Sequence, residues 1–355
     1  MKVIRYILFP VSILYGLITA CRNLGFNIAV LKSVKFDLPV ISVGNLSAGG
    51  TGKSPHIEYL IKLLMNEFNV ATLSRGYGRS ISEFHIVDEN STVIHCGDEP
   101  LQFKNKFPTV PIAVNKNRVL GVIELLKNKP DVNCILLDDA YQHRSITSSF
   151  SILLTEFDRP FFKDCMLPTG NLREWSLGKK RADVIVVTKS PEQLTNAERS
   201  IYIKKINPEP HQSVYFSALK YGQIAPMTTG ESFDNLSMLK QYQILLVTGI
   251  ANPKPLISKL HSEGIDFKHL KFNDHHPFRQ KDIQHIRNIF DTFGARKIIL
   301  TTEKDIQRLR LADKNKKLAI HYIKIEVELL GDETAFETQI INHVRKNKTN
   351  SNALS

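Results

Sequence analysis

Residues 43–55, VGNLSAGGTGKSP, constrain this chain more than any other stretch. The apolar run PVISV leads into a glycine-rich loop, and the loop leads into the amphipathic pattern PHIEYLIKLL. A phosphate-cradling loop needs that strand–loop–helix context. Gly49, Gly50 and Gly52 let backbone N–H groups converge on phosphate oxygens, and the helix that follows presents its positive end. Lys53 can reach β- and γ-phosphates, and Ser54 can ligate Mg²⁺. Ser47, Ala48, Gly49, Gly50, Thr51, Gly52, Lys53 and Ser54 are therefore the expected nucleotide-binding residues, with Ser47 standing where the common spacing has glycine. The bland alternative is a glycine turn ahead of a helix.

Further along, PVISV, NVATLS, CILLDD, FSILLTEF and VIVVTKS alternate with helical patterns. That βαβα order predicts an α/β fold with a mostly parallel sheet covered by helices. At 355 residues the chain exceeds what one hydrophobic core usually organises, so more than one unit is expected. The texture changes near residue 205, which divides the chain into a P-loop NTPase-like domain over 31–207, a β-strand linker over 208–235 and a smaller α/β domain over 236–345. Residues 346–355 read as a frayed polar tail.

The first 30 residues read as a membrane-associated helix, because no charge interrupts the 16 residues between Arg5 and Arg22. The stretch is short for a full span and is broken by Pro10, while a buried core helix and a signal peptide are the other readings. Arg5, Arg22, Lys32 and Lys35 would suit an anionic leaflet. A net charge of +12 favours an anionic partner. No basic stripe interleaved with aromatics suggests nucleic acid. The four cysteines form no CxxC pair, so neither a zinc site nor a disulfide framework is indicated, and a reducing cytoplasmic setting fits.

A nucleotide loop needs an acidic partner for the metal at the end of a neighbouring apolar strand, and CILLDD supplies Asp138 and Asp139. RGYGR offers Arg75 and Arg79 for phosphate. GDEP carries Asp98 and Glu99, YQHR carries Gln142 and His143, and GNLREW carries Arg173 and Glu174. The run FNDHHPF, with Asp274, His275 and His276, can be a metal site, a helix cap beside surface histidines, or half of an acid–base pair. Phosphoryl transfer to an alcohol needs a base near the acceptor hydroxyl, and a carboxylate oriented by a histidine would serve. A GTPase is a competing reading of VVTKS, although the aspartate expected after its lysine is missing. A tethered nucleotide sensor and a phosphoesterase built on the histidines are two more.

Taken together, VGNLSAGGTGKSP, SRGYGR, GDEP, DDAYQHR, LPTGNLREW, VTGIANP, FNDHHPF and TTEKD resemble the tetraacyldisaccharide 4'-kinase family of lipid A synthesis, over about residues 1–310. The resemblance implies two α/β/α domains joined by a β-strand linker, with the active site in the cleft between them. It implies an ATP- and Mg²⁺-dependent kinase, acting as a monomer on the cytoplasmic face of a Gram-negative inner membrane. The implied substrate is a tetraacyldisaccharide 1-phosphate, phosphorylated at its 4'-hydroxyl to give lipid IVA. Lys53 would act in catalysis and Asp98 as the base, with His275 orienting it. Ser54, Asp138, Asp139 and Glu174 would serve the metal, and Arg75, Arg79, Gln142, His143 and Arg173 the lipid substrate. DDA stands where the family pattern has Asp-Asp-Gly, and TGNLREW where it has Gly-Pro-Leu-Arg-Glu-Pro.

Overall fold

A computed structural model of the chain describes residues 7–228, 230–313 and 318–352, the side chains of 348–352 excepted. The apolar runs become strands buried on both faces: β1 (Val40–Asn45), β2 (Val70–Ser74), β5 (Cys134–Asp138), β6 (Phe150–Glu156) and β7 (Val184–Thr188). Near-continuous hydrophobicity is what a parallel strand between two helix layers requires. Two shorter strands, β3 (His85–Ile86) and β4 (Ile112–Val114), complete that end of the sheet.

The linker stretch contains one long strand, β8 (Ser213–Pro226), followed in the chain by β9 (Gln243–Thr248), β10 (Phe267–Lys271), β11 (Lys297–Thr302) and β12 (Ile320–Leu329). The 12 strands lie in one sheet, in the order β10-β9-β11-β12-β8-β7-β6-β1-β5-β2-β4-β3. Strand β8 joins its two halves by changing partner along its length. Val214 to Phe216 run parallel to Ile185 to Val187 of β7, whereas Ser217 to Pro226 run antiparallel to β12. Apart from this pair and β3–β4, neighbouring strands are parallel.

The helices are α1 (Phe9–Asn27), α2 (Lys53–Leu64), the single turn α3 (Val93–Cys96), α4 (Asp98–Lys106), α5 (Arg118–Asn128), α6 (Asn196–Ile206), α7 (Lys254–Ser262), α8 (Gln280–Phe290), α9 (Glu303–Ala312) and α10 (Glu333–Asn352). Two expectations need correction here. The stretch from 346 is helical as far as Asn352, and residues 353–355 of the expected tail lie outside the described residues. Nor does α10 pack with residues 236–332 alone, although Leu329 of β12 shares its buried cluster. Phe336, Ile340 and Val344 share a buried cluster with Ile57, Ile61 and Leu64 of α2, Tyr59 donates to Glu337 at 2.8 Å, and Arg345 forms a two-pronged ion pair with Glu67. Polar composition over 346–355 suggested fraying, but the helix that runs into it is docked onto the first half by the apolar residues at 336, 340 and 344, which recur on one face ahead of that stretch.

That docking is testable. Phe336 is 2% exposed and lies against the rings of Tyr59 and Tyr215. Phe336→Ala is expected to cost about 3–5 kcal/mol, as for other buried aromatic truncations, read from the urea midpoint. A change within about 0.5 kcal/mol, the range of ordinary surface substitutions, would show that α10 carries no share of the core.

Candidate active site

The glycine loop leaves β1 at Asn45 and enters α2 at Lys53, next to the ends of β5, β6 and β7. Gly52 begins the helix with φ +86°, a left-handed conformation that glycine adopts without strain. Several groups hold the loop from outside. Asn45 Nδ2 donates to the Ser47 carbonyl at 2.6 Å, Ala48 N–H to the Asn171 carbonyl at 2.7 Å, and Thr188 Oγ1 to the Thr51 carbonyl at 2.9 Å. Lys189 reaches both the Gly50 carbonyl and Glu156, each at 2.5 Å. The inner surface is open, since a Cβ at Gly49 or Gly50 would meet nothing within 4 Å.

Lys53 Nζ lies 3.3 Å from Asn45 Oδ1 and 3.6 Å from Asp139 Oδ1, and Arg173 Nη1 donates to the same Asp139 oxygen at 3.1 Å. Burial opposes the charge of Asp139, yet Lys53 and Arg173 outweigh it and hold the carboxyl below its ordinary range. Asp138, one residue earlier, is pushed up to about 6, by burial first and then by the neighbouring charges of Asp139 and Glu99. Ser74 Oγ donates to Asp138 Oδ2 at 3.2 Å, while Oδ1 is buried and makes no hydrogen bond. An orphaned carboxylate oxygen beside an open phosphate loop fits a Mg²⁺ site completed by phosphate oxygens. The left-handed turn falls on Asp139 (φ +47°) and not on Ala140, so alanine is accommodated where the family pattern has glycine.

The second half of the sheet contributes the other cluster. GDEP opens α4, and a Cβ on Gly97 would lie 2.7 Å from the Tyr77 carbonyl, which is how this turn comes so close to RGYGR. Asp98 is 4% exposed and accepts a hydrogen bond from His275 Nδ1 at 2.9 Å. Arg308 Nε sits 3.3 Å from the same Asp98 oxygen, and the other oxygen is buried without a partner. The Asp98 bond raises the His275 pKa above its ordinary value, against the opposing effect of burial. His275 packs against the Tyr77 ring at 5.7 Å and takes φ +54° with its N–H on the Gly249 carbonyl. Asp305 locks this corner by accepting from Gly249 N–H at 3.0 Å and from Arg308 at 2.9 Å. Lys304 pairs with Glu99 at 2.7 Å. Within the Asp-His-His run, His275 bonds Asp98 across the two halves, whereas His276 bonds Asp282 within its own half.

Other expected residues take places of their own. Arg75 is exposed near the site, but Arg79 is buried and spends its guanidinium on the carbonyls of Val114 and Ser82. Gln142 donates to the Asn45 carbonyl at 2.8 Å, and His143 is held near a pKa of about 4, chiefly by burial and then by Arg118 and Arg75. Glu174 does not join the aspartates. Its carboxylate accepts from Asn23 at 2.8 Å, Gln142 at 3.0 Å and Arg181 at 2.9 Å, which leaves no lone pair free for a cation. Among the described residues, no three or more His, Cys, Asp or Glu side chains gather as a metal site. The sequence reading missed Arg308, whose signal is its position one helical turn after Asp305, and Lys189, whose signal is the strand end it shares with VVT.

A family profile described as tetraacyldisaccharide-1-P 4'-kinase matches residues 4–345. The chain belongs to that family. A Flavobacterium johnsoniae tetraacyldisaccharide 4'-kinase is 43% identical, over 98% of this chain and 99% of its own length. One from Bacteroides thetaiotaomicron is 42% identical, over 97% and 94% respectively. Among solved structures, LpxK from Aquifex aeolicus, an "apo" form crystallised in complex with ATP, superposes with a TM-score of 0.76 at 28% identity, covering 96% of this chain and 99% of the other. Family membership accounts for the α/β fold and for the joint spacing of the motifs.

Proposed function

We propose that this chain transfers the γ-phosphate of ATP to the 4'-hydroxyl of a tetraacyldisaccharide 1-phosphate, giving lipid IVA in lipid A synthesis. The observation that carries the reading is the pairing of an open glycine loop, backed by Lys53 and two strand-end aspartates, with a couple of buried Asp98 and part-exposed His275 contributed from both halves of the sheet. In this reading residues 31–207 form a P-loop kinase domain, 208–235 a β-strand linker and 236–345 a second domain, with catalysis in the cleft between them. Lys53 and the loop N–H groups bind and orient the β- and γ-phosphates. Ser54, Asp138 and Asp139 hold Mg²⁺, which when bound neutralises phosphate charge. Asp98 accepts the 4'-hydroxyl proton on its unpartnered oxygen, and His275 and Arg308 fix its orientation. Arg75 and Arg173 supply cationic contacts for substrate phosphate.

Purified full-length protein given labelled ATP, Mg²⁺ and the tetraacyldisaccharide 1-phosphate in mixed micelles should place label at the 4'-position. Folded protein that labels no lipid would overturn the reading.

Helix α1 is read as the membrane contact on the cytoplasmic face of the inner membrane. No described helix is long and apolar enough to cross a membrane, but Leu14, Leu17 and Ile18 are more than half exposed on α1. An amphipathic helix lying at the interface meets both facts. Replacing these three residues by serine is expected to lower binding to anionic vesicles by about tenfold or more, in proportion to the apolar area lost. Unchanged co-sedimentation would assign the exposed face elsewhere.

A further inference from the structure

Helix α1 has an inward face as well, built from small and polar residues. Ser12, Gly16 and Asn23 fall at helical spacing on one side. Ser12 Oγ bonds Thr169 Oγ1 at 2.7 Å. The indole N–H of Trp175 donates to the Gly16 carbonyl at 2.9 Å, and a Cβ on Gly16 would lie 2.6 Å from that ring. Tyr15 OH donates to the Arg173 carbonyl at 3.1 Å, and Asn23 Nδ2 donates to Glu174 Oε2 at 2.8 Å.

The segment gripped in this way is the one that grips the glycine loop. Asn171 accepts from Ala48, Arg173 N–H donates to the Leu46 carbonyl at 2.8 Å, and the Arg173 guanidinium meets Asp139 at 3.1 Å. Glu174 closes a second path, because the Gln142 amide that donates to it also donates to the Asn45 carbonyl, immediately before the loop. Two short chains of hydrogen bonds thus connect α1 to the start of the glycine loop and to Asp139. With every acceptor direction of Glu174 filled, its chemistry is that of a buried junction.

We infer that Asn23 and Glu174 are positioning residues for the nucleotide loop, so that α1 holds the ATP site in shape in addition to presenting an apolar face. This rests on the nucleotide reading of the loop. An anchor alone would affect only the lipid; a positioning helix affects nucleotide binding when no lipid is present.

The test is the affinity of the full-length protein in detergent for a fluorescent ATP analogue with Mg²⁺ and without lipid. Asn23→Ala is expected to weaken binding about three- to tenfold, the scale of one ordinary lost hydrogen bond, since its effect reaches the loop indirectly. Trp175→Phe keeps an aromatic ring, though a smaller one, removes the N–H and should shift affinity in the same direction. Both variants should keep the apparent KM for lipid. Glu174→Gln combined with Asn23→Ala should cost less than the sum of the two, since they act through one contact. Nucleotide affinity within about twofold of the native protein in both single variants would overturn the inference. So would a raised Mg²⁺ requirement confined to Glu174→Gln, which is the behaviour of a metal ligand. If the native protein itself fails to bind the analogue, it is the nucleotide reading of the loop that falls.

Discussion

Lys53→Ala is expected to lower turnover by about three to five orders of magnitude, the scale on which charge-stabilising groups act in phosphoryl transfer. The side chain begins α2, where the backbone and helix dipole already favour anions, and its ammonium lies between Asn45 and Asp139. Those two acceptors hold it near the loop. Removing the ammonium leaves Asp139 paired with Arg173, so the fold should persist and the loss should appear in kcat more than in stability. Lys53→Arg is not expected to rescue, because a planar fork cannot occupy the place of a compact ammonium. Single-turnover rates with saturating ATP decide the matter. Near-normal turnover in a folded Lys53→Ala protein would remove the kinase mechanism proposed above.

The same residue illustrates what was legible in the sequence. Lys53, the glycines and the strand-end aspartates are local: strand, loop and helix follow one another, and the pattern places them at the carboxyl ends of parallel strands. The single 12-stranded sheet was not legible, because it depends on β8 changing partners halfway along, from a parallel neighbour to an antiparallel one. No pattern in SVYFSALKYGQIAP marks that change. Glu174, which the family resemblance assigns to metal, shows the same limit, since no local pattern announces that Asn23 and Arg181 reach its carboxylate from either side. The helical character of 346–352 was missed because RKNKTNSNALS is polar throughout, while the core residues that dock the helix, Phe336, Ile340 and Val344, all precede it.

Asp98 and His275 lie 177 positions apart in the chain and 2.9 Å apart in the fold, and the mechanism depends on their acting together. Asp98→Ala should lower kcat by about two to four orders of magnitude, the usual contribution of a positioned general base, with ATP affinity near native. His275→Ala should lower kcat less, since Arg308 still holds the carboxylate from the other side. The double variant should cost little more than Asp98→Ala, because residues acting as a unit are strongly non-additive. Losses that add fully on a logarithmic scale would refute the pairing even with both residues necessary, and a metal site would instead show rescue by added Mg²⁺ or Mn²⁺. Stability gives an independent reading whose sign is fixed. The His275 pKa is raised in the folded protein by its bond to Asp98, so its contribution is fully present below the unfolded value of about 6.5 and disappears as pH rises through the higher folded value. The urea midpoint of the native protein should therefore exceed that of His275→Asn by more at pH 6 than at pH 9. A gap independent of pH would mean that the imidazole carries no charge against Asp98.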